Sequence, residues 1–413
     1  MKSLDIAVVG GSIAGCSAAI LLERAGHNVH VYERSHGGLV GRGGGIGTPQ
    51  PLLELLMEHD LVDRDFPYLA CSSMPFVMRT PGEPTFGYVP WEVPSQFAMF
   101  HWTALWNALR RRVSDDRYHR GSGVASAVES LNGRVDLTFE DGSLADADLV
   151  VWADGYQSLG RSLMFPEADL RYRGYMLWRG LLPERELGDR DILGTTVPRV
   201  SFPTMPGQFV AYFVPGADGS SQHGDRLVNW AAYIPLAVEE LASFMIDRKG
   251  TLRVGTIPPG ELRPEEEQRL SALMTAELPD AFAALVNSTE NTYVQLIYTV
   301  RAPGYHRVRM CLIGDAGTVA QPHTGSGVFK GYNNVVSLLD ALDHHDDLDA
   351  ALDEWGPTQV ELGDRLLALG EQTEQAFIWN PLNLAAADAT TVEAWFRKAV
   401  EFPEDFSFEP RNK

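Results

Sequence analysis

The sequence predicts an α/β protein: a doubly wound nucleotide-binding domain at the start, a β-rich insertion, and a helical C-terminal extension. Three observations predict it. A strand, glycine turn and helix follow one another within the first 25 residues, the strand-to-turn pattern returns near Trp152 and Ile313, and a long stretch between those returns alternates apolar and polar residues. Ile6-Ala7-Val8-Val9 reads as the first strand, and Gly10-Gly11-Ser12-Ile13-Ala14-Gly15 as the turn into a helix that carries Ala18, Ala19, Leu21 and Leu22 and stops at Ala25-Gly26. Gly10 permits the turn and Gly15 lets the helix lie close on the strand. The helix N-terminus offers free N–H groups and the positive end of its dipole to a pyrophosphate. A second strand, Val29-His30-Val31-Tyr32, ends at Glu33, where this fold hydrogen-bonds an adenosine ribose. Ser12 holds the middle glycine position of G-x-G-x-x-G, which a side chain turned away from the phosphates allows.

Composition narrows the function. The 413 residues carry 34 Lys+Arg against 55 Asp+Glu, a net charge of -21, and so lack the basic face that nucleic acid demands. No apolar run approaches the roughly 18 residues of a membrane span, and the first strand begins too early for a signal peptide to precede it. Cys16, Cys71 and Cys311 are scattered, with no C-x-x-C or Cys/His cluster. Neither a disulfide framework nor a metal site is expected, and a reducing cytoplasm is.

The remaining elements follow in order. Gly37 to Gly47 is dense in glycine, so its backbone can approach a flat ligand, and Arg42 is its one side chain able to bind a phosphate or ring carbonyl. Pro49 to Leu56 starts a helix. Cys71 to Phe100 reads as short strands broken by prolines, Phe100 to Val113 as a helix, and Val124 to Val128 with Val135 to Phe139 as a β-meander. The strand Asp148 to Trp152 runs into Ala153-Asp154-Gly155, followed by Ser158 and Arg161 at the opening of a helix. Tyr172 to Tyr233 reads as an antiparallel sheet, and Leu236 to Arg248 and Pro264 to Leu285 as helices. Arg309 to Ile313 is a buried strand ending in Gly314-Asp315. Gln321-Pro322-His323-Thr324-Gly325-Ser326-Gly327 then opens a helix from Val328 to Leu342, and Asp349 to Ala387 is mostly amphipathic helix.

Three motifs in this order make the chain resemble the group A flavoprotein monooxygenases, the single-component FAD-dependent aromatic hydroxylases of the p-hydroxybenzoate hydroxylase type. The motifs are the N-terminal turn with Glu33, Asp154-Gly155, and Gly314-Asp315 with Pro322-x-x-Gly325-x-Gly327. Within the family, Tyr175, Trp178-Arg179-Gly180, Pro322-His323 and Lys330 are most similar to hydroxypyridine hydroxylases. Trp102 stands where the family often has a flavin-contacting arginine, and Gly317-Thr318 where it usually has Ala-His.

The resemblance implies a Rossmann-like FAD-binding domain built from residues 1–72, 101–171 and 293–345. It implies substrate-domain strands at 73–100, a substrate-binding β-sheet domain at 172–292, and a C-terminal helical extension at 346–413. Gly10, Gly11, Ser12, Ile13, Ala14, Gly15, Glu33 and Arg34 would hold the ADP half of FAD, with Val124 beside it and Arg42 near the flavin. Asp154 and Arg161 would serve FAD and the reduced pyridine nucleotide together. Gly314 and Asp315 would bind the ribityl-pyrophosphate region, and Pro322, Gly325, Ser326, Gly327 and Val328 would lie by the isoalloxazine.

The implied reaction uses NADH or NADPH and O2, through a flavin C4a-hydroperoxide, to hydroxylate a small phenol-like or hydroxypyridine-like ring. Proton handling falls to His323, Tyr212, His101 or Tyr175, with His323 preferred because its turn is expected beside the flavin and imidazole titrates near neutral pH. Two other readings stay open. Trp230-Ala231-Ala232-Tyr233-Ile234-Pro235 is faintly similar to a motif of flavin-dependent halogenases, and a flavin-binding sensor would keep the same cofactor residues. The choice of nucleotide and a homodimeric state are likewise left open.

Overall fold

The computed structural model describes residues 2–39, 43–187 and 192–400, so Arg42 lies outside the described residues. Two large sheets organise the chain. The first has six strands in the order His306–Arg307, Met310–Leu312, Leu149–Trp152, Asp5–Val9, Asn28–Glu33 and Tyr118–Arg120, parallel except for the hairpin at its first edge. All four residues of Leu149–Trp152 are buried, as expected for a parallel strand covered on both faces. From the central Asp5–Val9 the chain goes to one neighbour at Asn28–Glu33 and much later to the other at Leu149–Trp152. The carboxyl ends of these three strands therefore flank the point where strand order reverses, which is where open α/β sheets bind ligands.

Helices Ile13–Arg24 and Gly327–His344 pack together on this sheet. Their approach is close because a Cβ on Gly314 or Gly331 would come within 3.1 or 3.0 Å of the Ala14 methyl. A separate three-stranded meander, Val124–Glu129, Val135–Phe139 and Leu144–Ala147, occupies the span read as one from the sequence.

The second sheet has ten strands. Its central order is Tyr293–Arg301, Arg171–Pro183, Leu227–Pro235, Gln208–Val214, Arg199–Ser201, Leu69–Thr80, Glu83–His101 and Gly45–Pro49. The end of the glycine-dense run is thus an edge strand of this sheet, and residues 293–301 also hydrogen-bond into it. One face packs on helices Pro264–Glu277 and Asp280–Asn287 through Met176, Trp178, Phe209 and Trp230. Trp230 belongs wholly to that core, its Nε1 donating to Thr289 Oγ1 at 2.8 Å. The opposite face carries Tyr175, Leu177, Val210, Ala231 and Tyr233.

The long helix Leu348–Glu374 runs into a single π-helical turn, Gln375–Trp379, and helix Ala389–Val400 closes over the Leu69–Thr80 and Glu83–His101 hairpin through an aromatic cluster of Phe76, Trp91, Phe377, Trp395 and Phe396. Three helix predictions need correction. Leu236 to Arg248 contains only the short helix Leu241–Phe244 after a 3-10 turn, because the buried Asp247 carboxylate takes the N–H groups of Lys249 and Thr251, a local bond that competes with helix. Pro264 to Leu285 is two helices, interrupted at Leu278-Pro279. Phe100 belongs to a strand, and the next helix starts at Trp102. All three cysteines are free and buried.

Candidate functional site

A cleft of about 480 Å³ opens at the carboxyl ends of the parallel strands, lined by Val9, Gly10, Ser12, Glu33, Arg34, Val124 and Asp154 among others. Gly10 has φ +103°, and a Cβ there would lie 2.5 Å from the Ala153 carbonyl oxygen. Ser12 has φ -82° and ψ -165°, ordinary extended backbone, which is why a side chain is tolerated at the middle position of the glycine motif. The turn is braced from behind: the Gly11 carbonyl accepts from Trp106 Nε1 at 2.9 Å and Tyr118 Oη at 3.0 Å. Neither aromatic was singled out from the sequence, since nothing local to them points at a loop some hundred residues away. Glu33 is buried, and its two oxygens accept from the N–H groups of Gly11 and Ser35, each at 2.9 Å. Trp102, in the position where the family often has arginine, is also in the cleft wall.

Asp154 and Arg161 have different settings. One Asp154 oxygen accepts from the Leu159 and Gly160 N–H groups at 2.7 and 3.3 Å, while Oδ1 is buried without a partner. Burial holds this carboxyl above the usual carboxylate range. An orphaned acceptor in the cleft wall suits a hydroxyl or N–H of a bound nucleotide. Arg161 is buried, and its guanidinium donates to the carbonyls of Tyr156, Asp315 and Ala316 at 2.5, 3.3 and 2.9 Å. It ties the second motif to the third from inside the protein.

In the third motif the Gly314 N–H donates to Asn334 Oδ1 at 2.8 Å, and Asp315 Oδ1 accepts from the buried ammonium of Lys330 at 2.6 Å. Lys330 also donates to the Thr318 carbonyl. Gly325 turns with φ +65°, and Ser326 precedes helix Gly327–His344, which begins one residue earlier than predicted. The three motifs converge, with the Ile13 and Ala14 side chains packed against the core and Gly15 close on the Gly10 carbonyl. The residues present fit a dinucleotide: left-handed Gly10 at the turn, a free helix N-terminus, and the unpaired Asp154 Oδ1 all face one cleft.

A second polar group lies on the face of the large sheet that meets the edge strand Gly45–Pro49. Gly45 N–H donates to Asn229 Oδ1 at 2.7 Å, and Arg179 Nη2 donates to the Gly45 carbonyl at 3.3 Å. Cβ atoms on Gly44 and Gly45 would meet Tyr293, Asn229 and Tyr212 at 2.7 Å, so the glycines are what allow this strand to sit on the sheet. Of the four proton-handling candidates, Tyr212 is here, with burial pushing its hydroxyl up and Arg179 opposing. His101 accepts from the Thr103 N–H at 3.1 Å and so caps the helix at Trp102. Tyr175 is fully buried with an unpaired hydroxyl. His323 packs against Tyr233, ring centroids 6.0 Å apart, and its Nε2 is 3.1 Å from the Gly370 carbonyl. A carbonyl only accepts, so Nε2 carries the proton and Nδ1, buried and unpaired, is a bare acceptor.

Burial draws His323 down to about 4, and also lowers His30 and His119, whose rings stack at 5.2 Å beside Tyr32. Because these rings take up protons more readily in the unfolded chain, stability is full above pH 6.5 and falls as the pH drops from there toward about 4. The slope is at most about 1.4 kcal/mol per pH unit for each histidine. The thermal midpoint is expected to fall across that window, less steeply in His323→Asn. A midpoint that stays level from pH 6.5 to about 4 would contradict this electrostatic account.

Comparison with known proteins bears on the same elements. A family profile described as FAD binding domain-like matches residues 172–299. The 2,6-dihydroxypyridine 3-monooxygenase of Paenarthrobacter nicotinovorans is 28% identical over 364 residues, covering 88% of each chain. The 3-amino-4-hydroxybenzoate 2-monooxygenase of Streptomyces cremeus is 32% identical over 240 residues, 54% of this chain and 56% of that one. Among solved structures, 2,6-dihydroxypyridine-3-hydroxylase from Arthrobacter nicotinovorans superimposes with a TM-score of 0.84 at 26% identity, covering 94% of this chain and 97% of that one. No described helix is long and apolar enough to cross a membrane.

Proposed function

Because the chain is an FAD-dependent monooxygenase of the aromatic hydroxylase family, we propose that it hydroxylates a small phenol-like or hydroxypyridine-like ring with NADH or NADPH and O2. The observation that carries the reading is the junction at Gly45. Glu33, Arg34 and Leu39 line the cleft, and Gly45, six residues further along the chain, is hydrogen-bonded to Asn229 and Arg179, so the nucleotide cleft and the polar sheet face are a few residues apart in sequence. Relatives named for oxygenation of hydroxypyridine and aminohydroxybenzoate rings support the substrate class.

FAD, when bound, supplies the redox and oxygen chemistry. The turn Gly10 to Gly15, Glu33, Arg34 and Asp154 would hold its nucleotide half, and Asp315 its ribityl region. The Pro322 to Val328 turn, with a helix N-terminus behind it, would favour negative charge on the flavin ring. The chain's own tasks are to place the aromatic ring, keep water out, and accept a hydrogen bond from a ring hydroxyl so that the ring becomes electron-rich. His323 fits the last task as a fixed acceptor: its Nε2 is committed to Gly370 and its Nδ1 is free.

Anaerobic mixing of the FAD-loaded protein with NADH, then NADPH, while following absorbance near 450 nm, tests the reading. A dihydroxypyridine or hydroxybenzoate is expected to accelerate bleaching by orders of magnitude. If bound flavin is bleached by neither nucleotide under any of these conditions, the hydroxylase reading fails and a halogenase fed by a separate reductase, or a sensor, replaces it. In His323→Ala, FAD content is expected to be unchanged while product formed per nucleotide oxidised falls at least tenfold. Unaltered coupling would remove His323 from the reaction.

A further inference from the structure

One straight row of cross-strand partners crosses four strands of the large sheet. Arg179 lies opposite Ala231, Ala231 opposite Val210, and Val210 opposite Arg199. Residues in register share a face, so this row has an arginine at each end and two small apolar side chains between. With strands about 4.8 Å apart, the two arginine Cα atoms are separated by about 14 Å. Arginine side chains are long enough to shorten that span toward the length of one substituted aromatic ring. Arg179, Arg199, Tyr212 and Tyr293 all keep some solvent-accessible surface, whereas Ala231 is buried beneath them.

Neither guanidinium has a carboxylate within ion-pair reach among the described residues. Arg179 has the Gly45 carbonyl at 3.3 Å and the ring of Tyr293 at 5.6 Å. Arg199 has Gln208 Oε1 at 3.3 Å and the ring of Phe377 at 5.0 Å. Both Nε atoms are buried and unpaired, and so are Asn229 Nδ2 beside Arg179 and Gln208 Nε2 beside Arg199. Acid is not scarce in a chain with 55 Asp+Glu, and other partly buried arginines are matched: Arg173 with Glu374, Arg226 with Glu184. A half-buried cation with no counter-ion, its Nε and a neighbouring amide nitrogen unpaired, at both ends of one row is costly to the folded state unless a ligand brings the missing charge and acceptors.

Resting on the hydroxylase reading above, we propose that this row is a two-ended anion site. Its ligand is an aromatic ring with acidic oxygen groups at opposite positions, one held by Arg179 and Asn229, the other by Arg199 and Gln208, with the ring over Ala231 and Val210. The substrate class narrows accordingly, from any phenol or hydroxypyridine to rings that carry two such groups across the ring.

The test titrates FAD-loaded protein with 4-hydroxybenzoate and 6-hydroxynicotinate, which have acidic groups at both ends, and with phenol and 2-hydroxypyridine, which lack the carboxylate, reading the visible flavin spectrum. At least one two-ended compound is expected to bind tenfold or more tightly than its one-ended partner. Arg199→Gln is expected to abolish that difference while leaving phenol and 2-hydroxypyridine affinity and FAD content unchanged. Arg199→Met is expected to melt at the same or a higher temperature than the parent, because it removes an unmatched half-buried charge. Failure of both two-ended compounds to bind better than their partners, variants that bind the tighter one within twofold of the parent, or loss of FAD from Arg199→Gln would each overturn the proposal. So would a lowered melting temperature in Arg199→Met with ligand binding intact, the mark of a structural arginine. If phenol or 2-hydroxypyridine alone accelerates flavin reduction, the two-ended site falls while the hydroxylase reading stands. If no aromatic alters the flavin or its reduction, both fall.

Discussion

Gly15→Ala is expected to yield protein that no longer retains FAD through gel filtration and that melts well below the parent. A Cβ on Gly15 would fall inside the Gly10 carbonyl oxygen and lie 3.0 Å from its carbon. These are backbone atoms of the turn, and the turn cannot retreat, because Gly10 itself is against the Ala153 carbonyl and Gly11 is fastened by Trp106 and Tyr118. The helix Ile13–Arg24 must therefore move off the strand. Overpacking of this kind costs roughly 1–3 kcal/mol or more. It also turns the helix N–H groups away from the pyrophosphate, and a loss of about 2.7 kcal/mol there weakens binding about a hundredfold. The ratio of flavin to protein absorbance measures retention. Ser12→Ala is the control: with ordinary backbone angles at that position, it is expected to keep its FAD. Full occupancy in Gly15→Ala would show that the turn is not the pyrophosphate site.

Asp315→Ala carries the second large effect, and for two separable reasons. The carboxylate is half exposed, while its partner Lys330 is almost wholly buried. Removing Asp315 leaves the Lys330 ammonium with the Thr318 carbonyl, and an unmatched buried charge of that kind costs roughly 2–4 kcal/mol after allowance for the exposed end of the pair. It also removes an acceptor from the region where the ribityl chain is proposed to bind. The variant is expected to purify largely as apo-protein with a lowered melting temperature. The double variant Asp315→Ala/Lys330→Met is expected to regain much of the stability and none of the cofactor, since only the first effect depends on the lysine. Recovery of FAD in the double variant would mean that Asp315 acts only through packing.

The parts of the site that could be read from the chain are those in which cause and effect lie within one strand–turn–helix unit. Gly10, Gly15 and Glu33 are close in sequence, and the backbone geometry each one serves is local, so apolar run, glycine spacing and terminal acid are enough to find them. Asp154-Gly155 and Gly314-Asp315 were legible for the same reason. What each of them touches was not: the resemblance implies a cofactor role for Arg161, yet its guanidinium is spent on the carbonyls of Tyr156, Asp315 and Ala316. His323, similarly, is legible as a residue of the Pro-Gly turn that opens a helix, but its protonation is set by Gly370, which arrives from the C-terminal helix.

The sequence by itself determined the α/β order of elements, the nucleotide motif, the net negative charge and the position of the β-rich insertion, because these depend on hydrophobic period, turn residues and charge, which are local or additive. Only the tertiary structure decided that Asn229 holds Gly45 across 184 residues, that Lys330 neutralises Asp315, and that Arg179 and Arg199 end one row of the same sheet face. Those relations depend on strand register, and a shift of one residue would send both arginines to the opposite face. Register is fixed by the packing of all the strands together and is written in no single stretch of the chain.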